Sequence, residues 1–254
     1  MKKLTLFAAI LLVFVAMSIG SNVESQAAIT TYYYAVVFDT SGSIPPADLA
    51  NGKNATNTLV GLMPANPAGR IKSFDGPASV PTNHGPWTTS KPTLQYYVGT
   101  VGPGTAGTTA LYDAIIEACN DLGARAGLRF LVVWTDCGEN ASVGTLAAVT
   151  AAIVGNGVIP IVLQYNWASP PTDIASVGTI VPAMQAAIAG AGGYWYTVPD
   201  AASANVAVND IVNHVVTPTI PTLSQWGMIV LVVLILASAI VLLRRRRKAA
   251  SACS

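Results

Sequence analysis

The chain has 254 residues, 52% of them hydrophobic and 10% charged, and its formal net charge is +1. That balance conceals a segregation: between Ala28 and Thr217 six Lys or Arg stand against eleven Asp or Glu, a net −5, and the other cations gather at the two ends. A mildly acidic central segment excludes nucleic acid as a partner, because such binding rests on clustered cations facing phosphates; its length is one domain's worth of chain and enough to bury a core.

The N-terminus reads as an export signal. Lys2 and Lys3 precede the apolar run Leu4 to Val15, and Ser25-Gln26-Ala27 places small side chains before a cleavage point after Ala27. A basic start, a short apolar stretch and a small-residue exit define a signal peptide over residues 1–27, the apolar core being short for a retained membrane span. No Cys lies near the exit to accept a lipid.

The segment 28–217 then alternates strand and helix patterns. Thr31 to Phe38 (TYYYAVVF) is aromatic and β-branched, the composition of a strand buried on both faces. A helix is expected over Ala47 to Met63 and a strand over Arg70 to Phe74. Pro77 to Pro92 lacks periodicity and reads as a loop, and Leu94 to Val98 (LQYYV) reads as a strand. The Gly-rich stretch Gly99 to Gly107 leads into a helix over Ala110 to Arg125, with Leu111, Ile115, Ala118 and Leu122 on one face. Further strands are expected at Leu128 to Trp134, Val158 to Leu163 and Gly193 to Val198. Helices are expected at Ser142 to Val154, Ile180 to Ala189 and Ala201 to Val216. Apolar strands alternating with helices call for an α/β fold, a doubly wound, mostly parallel sheet flanked by helices, in which ligands bind at the C-terminal strand ends.

Residues 218–222 form a short, stiff linker. Gly227 to Leu243 carries no charge, is about long enough to span a bilayer, is preceded by Trp226, and is followed by Arg244 to Lys248 (RRRRK). Such a cluster stays cytoplasmic, so a single transmembrane helix would leave the domain outside and residues 249–254 as a cytoplasmic tail. Cys253 lies in that tail. Cys119 and Cys137 are placed too far apart for a disulfide, one well down a helix and the other at a strand end. Asn54-Ala55-Thr56 and Asn140-Ala141-Ser142 match a glycosylation pattern by chance.

The chemistry gathers at the strand ends. Asp39-Thr40-Ser41-Gly42-Ser43 follows the first strand directly, so one carboxylate and two hydroxyls at alternate positions can converge. Asp136 ends the strand at Leu128–Trp134, and Thr109 opens the helix after the Gly-rich stretch. Hard divalent cations take oxygen ligands of this kind, and Mg²⁺ uses only one or two carboxylates. The other reading of these residues is turn formation and helix capping. Asp113 and Glu117 read as a solvated helix face.

These residues resemble the von Willebrand factor type A (VWA) domain, whose metal-ion-dependent adhesion site has the pattern Asp-x-Ser-x-Ser, then Thr, then Asp. Asp39, Ser41 and Ser43 supply the first element. Gly107-Thr108-Thr109-Ala110-Leu111-Tyr112-Asp113-Ala114 is similar to the Gly-Gly-Thr-Ala-Leu-x-Asp-Ala segment, which makes Thr109 the candidate ligand rather than Thr108. Val132-Val133-Trp134-Thr135-Asp136 is similar to the closing strand. One departure is Cys137, where the family usually has Gly. The resemblance implies a metal set of Asp39, Ser41, Ser43, Thr109 and Asp136, a divalent cation (Mg²⁺ first, Mn²⁺ or Ca²⁺ as alternatives), and an open position for a carboxylate of a protein partner.

A second resemblance covers the C-terminus. Ile220-Pro221-Thr222-Leu223-Ser224-Gln225-Trp226-Gly227, an apolar helix and the arginine cluster resemble the IPTL-CTERM sorting signal of Gram-negative bacteria, here residues 223–248 with the preceding Ile220, Pro221 and Thr222. That implies handling by an exosortase, with the helix a temporary anchor before release to the cell surface or extracellular material; a permanent single-span anchor is the alternative. No Gly-x-Ser-x-Gly, phosphate loop or dinucleotide fingerprint is present. The expectation is therefore a non-enzymatic adhesion or protein-binding module, against a metal-dependent hydrolase or a structural envelope protein with an unused site.

Overall fold

The computed structural model describes residues 31–64, 66–76, 81–104, 107–165 and 174–213, together with Val233. The chain divides into two compact units, residues 1–210 and 211–254, and nearly all described residues belong to the first. The signal peptide, the linker, the residues from Ile220 to Gly227 and all of the expected transmembrane helix except Val233 lie outside the described residues. Among the described residues no helix is long and apolar enough to cross a membrane.

The first unit is built on a six-stranded sheet: β1 (Tyr32–Asp39), β2 (Ala68–Phe74), β3 (Thr82–Asn83), β4 (Leu128–Thr135), β5 (Val158–Tyr165) and β6 (Tyr194–Val198). Its order is β3-β2-β1-β4-β5-β6. Every pairing is parallel except that of β3 on β2. The helices are α1 (Pro46–Leu62), α2 (Lys91–Thr100), α3 (Leu111–Gly123), α4 (Leu146–Gly155), α5 (Ile174–Gly190) and α6 (Ala201–Ile211). Between β1 and β4 the order of strands reverses, and that switch point is where such sheets leave a crevice at their C-terminal ends.

The central strands are buried on both faces, as their unbroken apolar sequences require. Ala35 and Val37 of β1, Leu131 and Val133 of β4 and Val162 of β5 pack with Leu111, Ile115 and Leu122 of α3 and with Val149 and Ile153 of α4. The alternate side chains, Phe38 and Trp134 among them, are buried on the opposite face. There Gly52 of α1 lies against Trp134 and Tyr165, leaving no room for a Cβ.

The structure corrects three expectations. Leu94 to Val98 is part of helix α2, not a strand. The Ser90 side chain accepts from Thr93 N (3.4 Å) and Pro92 lies in the first turn. Leu94 and Val98, four residues apart, are the buried pair, while Tyr96 is 68% exposed. The aromatic run that suggested a strand is therefore half outside the core. Within Pro77 to Pro92, Thr82–Asn83 forms a short antiparallel edge on Ser73 and Lys72. Helix α4 begins at Leu146, not Ser142, because Thr145 caps it by accepting from Ala148 N (3.2 Å).

The solvated face expected at Asp113 and Glu117 is also a working surface. Asp113 accepts from Val143 N and Gly144 N at 2.9 and 2.8 Å. Glu117 accepts from Lys72 Nζ at 3.0 and 2.8 Å through its two oxygens. Cys119 and Cys137 are separate, buried free thiols. Asn140 is occupied by a backbone contact, its Oδ1 accepting from Thr109 N at 2.7 Å.

Candidate metal centre

The strand ends at the switch point bring the sequence-selected residues together. Asp39 closes β1 and is fully buried. Its Oδ1 accepts from Ser41 N (3.0 Å), an Asx turn that folds the chain back over the strand end. Its Oδ2 accepts from Thr135 Oγ1 at the end of β4 (2.8 Å). Ser41 Oγ and Ser43 Oγ lie 3.1 Å apart, and Ser43 Oγ donates to Asp136 Oδ2 at 2.7 Å. Two carboxylates and two hydroxyls thus share one cluster, joined by Ser43 and Asp136, which are 93 residues apart along the chain.

Thr109 reaches the same place. A carbon built on Gly138 would stand 3.1 Å from Asp136 Oδ1 and 3.4 Å from Thr109 Oγ1. The Thr109 hydroxyl and the Asp136 carboxylate therefore border one small space that the missing Cβ of Gly138 keeps open. Gly138 N also donates to Asp136 Oδ1 (2.8 Å). All five sequence-selected residues gather at the upper edge of the sheet.

Placing two acids here has an electrostatic consequence. Burial, then the neighbouring charge of Asp136, push the Asp39 carboxyl up to about 7, against the opposing hydrogen bonds from Ser41 and Thr135. Without a counter-charge the site favours a proton on Asp39; a divalent cation would remove that preference. Among the described residues no three His, Cys, Asp or Glu side chains converge. The donor set is two carboxylates plus hydroxyls, which suits a hard cation that keeps some of its water.

Several supporting residues were not legible in sequence. Thr135 accepts from Cys137 N (2.9 Å) while donating to Asp39, so its hydroxyl ties the two acidic segments together. Asn140 N and Ala141 N donate to Thr109 O at 3.1 and 3.2 Å, completing with the Asn140 side chain a clasp on Thr109. Glu139 accepts from Tyr112 N (2.8 Å), Ala141 N (3.1 Å) and Ser142 N (2.9 Å). The 139–144 loop is thereby fastened onto the start of α3. The only signal for this in the sequence is the density of polar residues directly after Asp136.

Cys137 adopts φ 65°, the only non-glycine residue with positive φ among the described residues. A left-handed residue costs an L side chain about 1 kcal/mol or more, so this position favours glycine. The Cys137 side chain is fully buried. Burial, with the charges of Asp136 and Asp39, pushes its thiol well above its ordinary value, so it is a neutral packing group. Cys137→Gly should lose that packing and relieve the strain, leaving the thermal midpoint within a few degrees of wild type. Cys137→Val puts a β-branched residue at positive φ and should lower the stability by about 2–3 kcal/mol, with a matching fall in the midpoint. Equal midpoints for the two variants would show that the turn is not strained.

Solved structures share this architecture. A von Willebrand factor type A protein from Catenulispora acidiphila superposes with a TM-score of 0.55 at 14% identity over 71% of this chain and 42% of that one. The fold is that of a VWA domain. A conserved hypothetical protein, BatB, from Bacteroides thetaiotaomicron matches with a TM-score of 0.54 at 22% identity, covering 72% of this chain and 97% of BatB. Proximal thread matrix protein 1 of the mussel byssus gives 0.55 at 17% identity over 72% of this chain and 45% of its own. The chain thus spans less than half of the Catenulispora and mussel proteins and almost all of BatB. No curated protein matches the sequence. Residues 219–247 match the IPTL-CTERM motif, so the VWA fold is joined to a C-terminal sorting signal, which indicates export to the cell surface.

Proposed function

We propose that this chain is a surface-displayed VWA module that holds a divalent cation through Asp39, Ser41, Ser43, Thr109 and Asp136 and captures a carboxylate of a partner protein at that cation. The observation that carries this reading is the hydrogen-bonded run from Ser41 through Ser43 to Asp136, which draws β1 and β4 donors into one oxygen-rich cluster. When bound, the cation supplies a Lewis-acidic position open to a partner's carboxylate oxygen. The chain's own groups do the rest. Asp39 and Asp136 supply negative charge, the three hydroxyls supply neutral oxygen donors, and Thr135, Asn140 and Gly138 hold those groups in place. Mg²⁺ suits the small number of carboxylates best. The IPTL-CTERM motif supports the surface display in this proposal: an exosortase acts on the C-terminal signal, and its apolar helix anchors the protein with the arginine cluster in the cytoplasm before processing.

Metal-dependent stabilisation is the first consequence to check. After chelation, thermal unfolding of the full chain should shift upward with added Mg²⁺ or Mn²⁺, by about 2.7 kcal/mol at a hundred times the dissociation constant. Asp136→Ala should abolish the shift while leaving the protein folded. A midpoint insensitive to millimolar cation in the wild type would remove the metal-dependent mechanism and leave the VWA fold as a scaffold for some other surface.

A further inference from the structure

On the face of the sheet opposite α3, the ends of β4 and β5 and the starts of α1 and α6 enclose a small cavity of about 10 Å³ lined by Asp48, Asn51, Trp134, Tyr165 and Asp200, among others. Trp134 and Tyr165 stack there with ring centroids 5.6 Å apart. They are 1% and 3% exposed. The indole Nε1 of Trp134 and the hydroxyl of Tyr165 are both buried without a hydrogen-bond partner. A buried polar group left unpaired bears its full desolvation penalty, and native structures rarely leave two side by side.

The chemistry of the lining selects the occupant. A cation would suit Asp48 and Asp200 but would confront the Trp134 N–H, which can only donate. An anion would accept from that N–H and from the Tyr165 hydroxyl but would face two carboxylates. A group that both accepts and donates meets every demand, and the space holds about one water molecule. We infer that a single ordered water occupies this cavity, accepting from Trp134 Nε1–H and bonded to the Tyr165 hydroxyl, with its remaining protons directed toward the Asp48 and Asn51 oxygens. The water would bridge the ends of β4 and β5 to the first turns of α1. None of the residues lining the cavity is among the five oxygen ligands proposed for the cation.

Gly52 belongs to the same arrangement. A Cβ at Gly52 would run into the Tyr165 hydroxyl, so this glycine gives the hydroxyl its place beside the cavity.

Two measurements on the full chain test the inference. A crystal structure that resolves ordered solvent should show one water peak about 2.7–3.2 Å from both Trp134 Nε1 and Tyr165 Oη. An empty cavity, or a Tyr165 hydroxyl bonded directly to Asp48, would overturn it. Thermal unfolding of Tyr165→Phe in chelator tests by sign whether the hydroxyl is paired at all, and the crystal structure tells water from Asp48 as its partner. If the hydroxyl is bonded to water, its loss lowers the midpoint by about 2–4 °C. If the hydroxyl is unpaired, its removal raises the midpoint, and a raised or unchanged value sinks the proposal.

Discussion

Lys72→Ala is expected to destabilise the domain by about 3–5 kcal/mol, because it empties a fully buried position on β2 and takes the cation from two partly buried acids. Lys72 is on β2, an otherwise apolar position paired with Val37, and its side chain is fully buried. Its ammonium donates to both Glu117 oxygens and stands 2.9 Å from Asp121 Oδ2. Arg70 pairs with the same Asp121 oxygen at 2.8 Å, and Trp87 Nε1 donates to the other at 3.3 Å. Burial pushes the Asp121 carboxyl up, but Lys72, Arg70 and Trp87 together outweigh it and hold the group below its ordinary value. A folded-state value below the unfolded one means stability that is present at neutral pH and lost as pH falls through the acid range, below roughly pH 4. Lys72→Met keeps most of the packing and removes only the charge. Glu117, 31% exposed, can then turn to water, so the cost should be nearer 1–3 kcal/mol. Chemical denaturation of both variants checks the order. If Lys72→Ala costs no more than an exposed substitution, about 0.5 kcal/mol, the network does not hold α3 to β2.

The difference between what was legible and what was not follows the range of each interaction. Asp39, Ser41 and Ser43 announce themselves because their spacing is local and the strand before them is apolar on both faces. Asp136 was legible for the same reason, as a carboxylate ending an unbroken apolar strand. Thr135 and Asn140 carry as much of the geometry, yet their partners are Asp39 and Thr109, 96 and 31 residues away, and no local pattern marks such pairs. Lys72 shows in the sequence only as a charge, since a lone cation in a strand gives no sign of the two acids on another element that neutralise it. The misreading of α2 has a different origin. Tyr96 and Tyr97 favour a strand by composition, but Ser90 and Pro92 start a helix and the four-residue spacing of Leu94 and Val98 buries it.

Asp39→Asn should make the metal-free protein more stable than wild type above pH 7 and insensitive to added cation. The Asp39 carboxyl is raised to about 7 in the folded state by burial and by the charge of Asp136, whereas an unfolded Asp titrates near 3.9. Between those values the folded protein holds a proton that the unfolded chain has released. Stability from this group is therefore full at the acid end and falls as pH rises from about 4 to about 7, after which it stays low. Asn keeps the shape. Its oxygen can still accept from Ser41 N and its amide can meet the Thr135 hydroxyl, which is able to accept as well as donate. What it removes is the second negative charge beside Asp136. In chelator, the wild-type midpoint should decline relative to the variant's over this interval by on the order of ten degrees, since the difference amounts to about 4 kcal/mol and about 1 kcal/mol moves a domain of this size by ~2–4 °C. Added Mg²⁺ should close or reverse that gap for the wild type alone, because a cation that requires the ionised carboxylate also relieves the repulsion that weakens the metal-free state. Parallel pH profiles for the two proteins in chelator would mean that Asp39 is ionised throughout, and that the cluster carries its two charges without any need of a cation.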